Sequence, residues 1–163
     1  VPDKSKRILV EEGMAMADEL FYMREALLEA RRAADEDEVP VGAVLVKDGA
    51  ILARAHNRVV QSGDPTAHAE MLAIREGAKK LGAWRLDGCA LYVTLEPCAM
   101  CAGAAVAARL TRLVFGAHER TTGCCGSVLD LTDAMFLHTV ACCGGLMEEE
   151  CAARLASYFA KKR

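Results

Sequence analysis

"ALYVTLEPCAMCAGAAVAARLTRLVFGA", Ala90 to Ala117, reads as strand, helix and strand in one unbroken run. ALYVTL is a short, continuously apolar segment, the pattern of a strand buried in a sheet. Pro97 then suits the first turn of a helix, where its missing N–H would have had no intrahelical partner. CAMCAGAAVAARL carries the helix onward, and RLVFGA is the next strand. Two strands joined by a helix predict a parallel βαβ crossover, and such crossovers place helices over the sheet.

Upstream, "VPVGAVLVKDGAILARAHNRVV" holds two apolar stretches around Lys47-Asp48-Gly49. Gly49 can supply the positive φ of a tight turn, so the segment predicts a β-hairpin and makes the sheet mixed. A helix spans about Ala67 to Lys80, with Met71, Ile74 and Ala78 on its period and Gly82 just past its end as a cap. Leu20, Met23, Leu27, Ala30 and Ala34 step by three and four along an earlier amphipathic helix that stops in the acidic run DEDE. Residues from about Glu148 to Lys161 form a closing helix, and the glycine-rich TTGCCGS and ACCGG segments read as loops. The fold class is α/β, with no internal repeat or linker.

At 163 residues the chain is the size of one domain. It is 53% hydrophobic and 26% charged, and contains no apolar run near the ~18 residues of a membrane span, which describes a soluble globular protein and predicts no membrane partner. Residues 1–17 read as a charged N-terminal extension without a signal-peptide apolar region, leaving 18–163 as the folded domain. Eight cysteines, including the adjacent pairs Cys124-Cys125 and Cys142-Cys143, then fit thiols or metal ligands in a reducing cytoplasm better than a disulfide framework. A net charge of −3 argues against indiscriminate binding to nucleic acid and confines any RNA site to a local patch. The basic candidates are ARLTR, around Arg109 and Arg112, and the terminal YFAKKR.

The chemistry lies in two short motifs. "PTAHAEM", Pro65 to Met71, places His68 and Glu70 at the start of a helix. Thirty residues after His68, EPCAMC places Cys98 and Cys101 three apart, on one face of the next helix. Two thiolates and an imidazole suit zinc, and three protein ligands leave the fourth tetrahedral position to water, as in a catalytic site. Helix N-termini favour the thiolate form that a metal needs. Two thiolates already balance a divalent ion, so Glu70 is better placed as a proton carrier than as a fourth ligand. Zinc lowers the pKa of bound water from ~15.7 to about 7, which lets a carboxylate act as general base and acid. Taken singly, HAE also describes a solvated surface pair, and PCAMC a structural half-site, a redox dithiol or buried cysteines. Together, in this order and on strand-then-helix contexts, they match the signature of zinc nucleobase deaminases, a class whose sequence pattern is already well described.

With those residues in place, the chain resembles the bacterial tRNA-specific adenosine deaminase family of the cytidine deaminase-like superfamily. The similarity runs from about Asp18 to the C-terminus, through EVPVGAVLV, NRVV, DPTAHAEMLAIR, LYVTLEPCAMCAGA, LVFGA and TGCCGS. The resemblance implies a three-layer α/β/α cytidine deaminase-like fold with a five-stranded mixed sheet, a homodimer, one zinc ion per subunit, and hydrolytic conversion of adenosine to inosine at the wobble position of a tRNA anticodon stem-loop. It implies that His68, Cys98 and Cys101 bind zinc, that Glu70 shuttles protons and that Asn57 contacts the target base. It also points to Tyr158, Phe159, Lys161 and Lys162 as RNA contacts. The sequence departs from the family pattern after VFGA, where His118, Glu119, Arg120 and Thr121 replace an arrangement of basic residues around an aspartate. Two other readings stand beside this one: a deaminase of a free base or nucleotide such as guanine or cytosine, and a non-catalytic zinc-containing deaminase subunit.

Overall fold

The computed structural model describes residues 16–163. Residues 1–15 of the expected extension lie outside the described residues, and the first helix, α1, already runs from Met16 to Asp35. The hairpin follows as β1 (Gly42–Lys47) and β2 (Ala50–His56). Asp48 and Gly49 both have positive φ, 50° and 75°, the two-residue turn whose twist matches the strands it joins. A short helix, α2 (Val59–Ser62), and then α3 (Ala69–Leu81) lead to β3 (Cys89–Leu95). The crossover read from Ala90–Ala117 is present as β3, α4 (Ala99–Ala107) and β4 (Arg112–Ala117). β5 (Ala141–Gly144) and α5 (Glu148–Lys161) complete the chain.

The five strands lie in the order β2-β1-β3-β4-β5. β1 is antiparallel to β2 and β3, while β3, β4 and β5 are parallel, so the sheet is mixed as expected. Strand alternation decides the layers. Leu45, Leu91, Val93, Leu113 and Phe115 face α3 and α4, with Ala69, Ala73, Ala102 and Ala105 packed against them. Val44, Val46, Tyr92 and Val114 face α1 and α5, meeting Tyr22, Met23, Ala26 and Cys151. At Gly42 a Cβ would collide with the Ala26 carbonyl and the Ala30 nitrogen, so only glycine lets α1 lie this close to β1.

One local reading needs correction. ACCGG is not wholly loop: Ala141–Gly144 pairs in parallel with Arg112–Phe115 and supplies the fifth strand. It lacks the β-branched residues that mark strands, and its strand form comes from the ladder that β4 offers. The β4–β5 connection, residues 118–140, contains no helix, unlike the crossovers before it. Trp84 is exposed, with the Arg85 and Arg109 guanidinium groups 5.7 and 5.9 Å from its ring centre.

Candidate metal centre

Because α3 and α4 pack on the same face and the strands before them, β2 and β3, run parallel and finish at the same end of the sheet, their N-termini converge. His68 is the residue just before α3, in extended backbone (φ −74°, ψ 151°). A tight turn holds it there: Asp64 Oδ1 accepts the Thr66 N–H (2.8 Å) and hydroxyl (2.7 Å), and the His68 N–H donates to the Thr66 carbonyl (2.8 Å). Cys98 occupies the matching position before α4 (φ −73°, ψ 178°), and Cys101 lies in that helix's first turn, fully buried.

His68 Nδ1 lies 3.5 Å from Cys101 Sγ and 3.7 Å from Cys98 Sγ, and the three ligand atoms all fall within 4.8 Å of one another. A tetrahedral zinc with bonds of about 2.3 Å to sulfur and 2.0–2.1 Å to nitrogen would set its N···S edges at about 3.6 Å. The donor set therefore fits one zinc ion per chain in both chemistry and spacing. Among the described residues it is the one cluster with a metal-binding arrangement. Hydrogen bonds from the Cys101 thiol and the His68 ring pull Cys98 down to about 3, so its sulfur is a ready thiolate. Cys101, the donor in that contact and itself buried, is pushed up, and the hydrogen bond to Cys98 raises His68. A metal ion replaces those shared protons when it binds, because it takes thiolates and neutral imidazole.

Glu70, in the first turn of α3, is buried beside this cluster and hydrogen-bonds the Cys101 thiol. Burial pushes its carboxyl up to about 7, near the value at which one group can both take and return a proton at neutral pH. Asn57 is brought alongside by two backbone stitches, its own N–H to the Val41 carbonyl (3.1 Å) and the Arg58 N–H to the Ala67 carbonyl (3.0 Å). Its side-chain Oδ1 accepts the Ala69 N–H at 2.8 Å, satisfying the first donor of α3. One lone pair of that oxygen is thereby used, and the NH2 group is what Asn57 has to donate to a ligand.

The arginines of ARLTR do not form an RNA patch at this site. Arg112 points into the face under α1, paired with Glu19, whose carboxylate also accepts the Tyr92 hydroxyl at 3.1 Å. Arg109 bonds back to the Val106 carbonyl (2.9 Å) at the end of α4, away from the metal cluster. The end of α5 is better placed: the Tyr158 hydroxyl donates to the Asp37 carbonyl (3.3 Å), Lys162 pairs with Asp37, and Phe159 is exposed. Asp37 lies just before β1, whose first residues pair with the ends of β2 and β3, so the α5 terminus stands at the metal end of the sheet. His118 is held by Glu148 at 2.7 Å. An open cavity of about 540 Å³ lies along β2, lined by Glu29, Arg54, His56 and Lys80 among others, and includes none of the metal-cluster residues.

One buried group escaped the motif reading. Glu96, between β3 and Pro97, accepts hydrogen bonds from the Glu119, Cys125 and Ser127 N–H groups and from the Ser127 hydroxyl. The signal was present in LEPC, a carboxylate between a buried strand and a metal ligand, but its partners are mostly backbone and leave no motif.

The family of the cytidine and deoxycytidylate deaminase zinc-binding region matches residues 16–117. The tRNA-specific adenosine deaminase of Bacillus subtilis is 48% identical over 149 residues, covering 91% of this chain and 92% of that protein. A solved structure from work on A-to-I editing by tRNA:A34 deaminases at the wobble position of transfer RNA superposes with a TM-score of 0.80 at 46% identity, over 83% of this chain and 99% of that one. A guanine deaminase from Nitrosomonas europaea has a TM-score of 0.77 at 25% identity, over 91% of this chain and 87% of that one. No helix among the described residues is long and apolar enough to cross a membrane.

Proposed function

Because the chain belongs to the cytidine and deoxycytidylate deaminase zinc-binding family, among its tRNA-specific adenosine deaminases, we propose that it hydrolyses adenosine to inosine at the wobble position of a tRNA anticodon, releasing ammonia. The observation that carries this is the His68, Cys98 and Cys101 cluster at zinc-ligand spacing with the raised, buried carboxyl of Glu70 beside it. His68, Cys98 and Cys101 would hold the zinc, which when bound would supply a water acidic enough to act as nucleophile at neutral pH. Glu70 takes the proton that the water gives up and returns it to the purine ring and the departing amine. A carboxyl near 7 is suited to both transfers, whereas an exposed glutamate near 4.5 would be a poor acid for the second.

Asn57 orients the base. With its oxygen held by the Ala69 N–H, its NH2 meets a ring acceptor on the purine edge. The anticodon loop suits such a pocket because its bases unstack at low cost and can be splayed into the site. Tyr158 and Phe159, at the metal end of the sheet, offer aromatic faces to neighbouring loop bases, and Lys161 and Lys162 offer charge to the phosphates.

The working form is a homodimer in the cytoplasm. α4 supports this: it is apolar all round, yet Ala99, Met100, Gly103, Ala104 and Ala107 remain partly or fully exposed, and a Cβ at Gly103 would meet nothing within 4 Å. A second copy is the cover this surface fits. The functional test is inosine mapping in an unmodified tRNA transcript: the wild type converts the wobble adenosine, and Glu70→Ala keeps its zinc and fold but converts none. Turnover of a free base without inosine in tRNA would overturn the assignment.

A further inference from the structure

Residues 118–127 leave β4 at Ala117, which pairs with Leu95, so this loop starts at the same sheet end as Pro97 and Cys98. It returns to that turn a second time, where the Cys124 N–H donates to the Pro97 carbonyl at 2.8 Å. Any anticodon arm that delivers a base to the cluster must rest on the segments flanking this end, and this loop, carrying the exposed Arg120, is one of them.

The loop is wound about a single carboxylate. Glu96 is 2% exposed. Its Oε2 accepts the Glu119 N–H (2.9 Å) and the Ser127 hydroxyl (2.5 Å), while Oε1 accepts the Cys125 N–H (3.1 Å) and the Ser127 N–H (2.9 Å). Donors from both ends of the loop thus converge on two oxygens. At Gly123, between them, a Cβ would come within 2.5–2.6 Å of the carboxylate, so the chain closes around it without room for a side chain. The Glu96 N–H donates to the Ala117 carbonyl (2.8 Å), which extends the β3–β4 ladder into the metal turn. Four donors on two oxygens is a pattern that a carboxylate fills and an amide cannot. A glutamine would direct its NH2 at a backbone N–H on one side or the other.

We propose that Glu96 is a positioning residue for RNA: its carboxylate holds residues 118–127 as a rigid rim beside the metal cluster, on which the anticodon arm docks. This rests on the tRNA reading above. The test uses the zinc-loaded full chain as wild type, Glu96→Gln and Ser127→Ala. Amide hydrogen exchange is followed at Glu119, Cys125 and Ser127, and inosine formation is measured on an anticodon stem-loop. Glu96→Gln is expected to keep its zinc, to exchange those amides faster, and to raise KM for the stem-loop about tenfold or more, as loss of a charge-assisted hydrogen bond implies, with kcat within about twofold. Ser127→Ala, which removes one hydroxyl only and keeps the test open should Glu96→Gln fold poorly, shifts both readings in the same direction by less. Unchanged exchange in both variants overturns the proposal. So does faster exchange with unchanged KM, or a fall in kcat at constant KM, which would place Glu96 in the chemistry instead. If the wild type forms no inosine, the tRNA reading fails by itself, while the exchange comparison still decides whether Glu96 holds the loop.

Discussion

The proposed role of Asn57 toward the base is separable from its structural hydrogen bond, and a pair of substitutions divides the two. Its Oδ1 accepts the Ala69 N–H at 2.8 Å, and in the proposed reaction its NH2 donates to the purine. Asn57→Ala removes both. The Ala69 N–H is fully buried, so losing its acceptor costs about 1–3 kcal/mol. For a protein of this size each kcal/mol moves the Tm by about 2–4 °C, which puts the expected drop at roughly 2–12 °C. Asn57→Asp keeps an oxygen in place for the Ala69 N–H and replaces the donor by a second oxygen. Burial of the new charge is unfavourable, while the N-terminus of α3 stabilises a carboxylate, so the net change is expected to stay within about 1 kcal/mol.

Activity separates from stability in this pair. Both variants lack the NH2, and in Asn57→Asp an acceptor now faces the ring acceptor, so kcat/KM for inosine formation on an anticodon stem-loop should fall by about 10- to 100-fold in each. Scanning calorimetry of the zinc-loaded proteins and steady-state kinetics read the two effects independently. If Asn57→Asp loses as much Tm as Asn57→Ala, the Oδ1–Ala69 bond is not what holds the start of α3. If Asn57→Asp turns over like the wild type, the NH2 does not meet the base.

Three further outcomes follow from the same geometry. Burial raises Glu70 from 4.5 to about 7, so between those values the folded, metal-stripped protein binds a proton that the unfolded chain has released. Stability from that proton is complete below pH 4.5 and lost as pH rises through 7. The Tm of chelator-treated Glu70→Gln should therefore gain on the wild type from pH 5 to pH 8, and a constant gap would refute the burial argument. Cys98→Ala leaves two of the three ligands and should lose its zinc on dialysis, measured by elemental analysis; full retention of one equivalent would mean that the ion is held elsewhere. Arg112→Met strands the Glu19 carboxylate, 2% exposed, without its cation and should cost about 3–5 kcal/mol in urea unfolding while leaving affinity for the stem-loop unchanged. Weaker RNA binding at unchanged stability would return Arg112 to the RNA surface.

What could be read in advance depended on whether the information sat in side chains or in backbone. His68, Cys98 and Cys101 were legible because zinc chemistry demands particular side-chain atoms, and because Cys98 and Cys101 fall one helical turn apart. The hairpin was legible because Asp48-Gly49 tolerates positive φ where few residues do. Arg112 was misplaced although its strand held the answer. In RLVFGA it alternates with Val114, and Val114 packs under α1, so the parity of the strand directs Arg112 to the same interior face. ACCG was missed for a different reason, since four residues of small and sulfur-bearing type become a strand through β4's ladder and not through any preference of their own.

Glu96 and Asn57 show where residue-type reasoning stops. Three of the four donors on Glu96, and the donor on Asn57, are backbone N–H groups, which every residue but proline carries. No spacing rule reports them, because Glu119 to Ser127 lie 23 to 31 residues from Glu96 and reach it only after β4 has paired with β3. Placed next to a metal ligand and wrapped in donors from a distant loop, the carboxylate ties the rim that would receive RNA to the turn that carries Cys98. Loosening one should therefore be felt at the other, in KM before kcat.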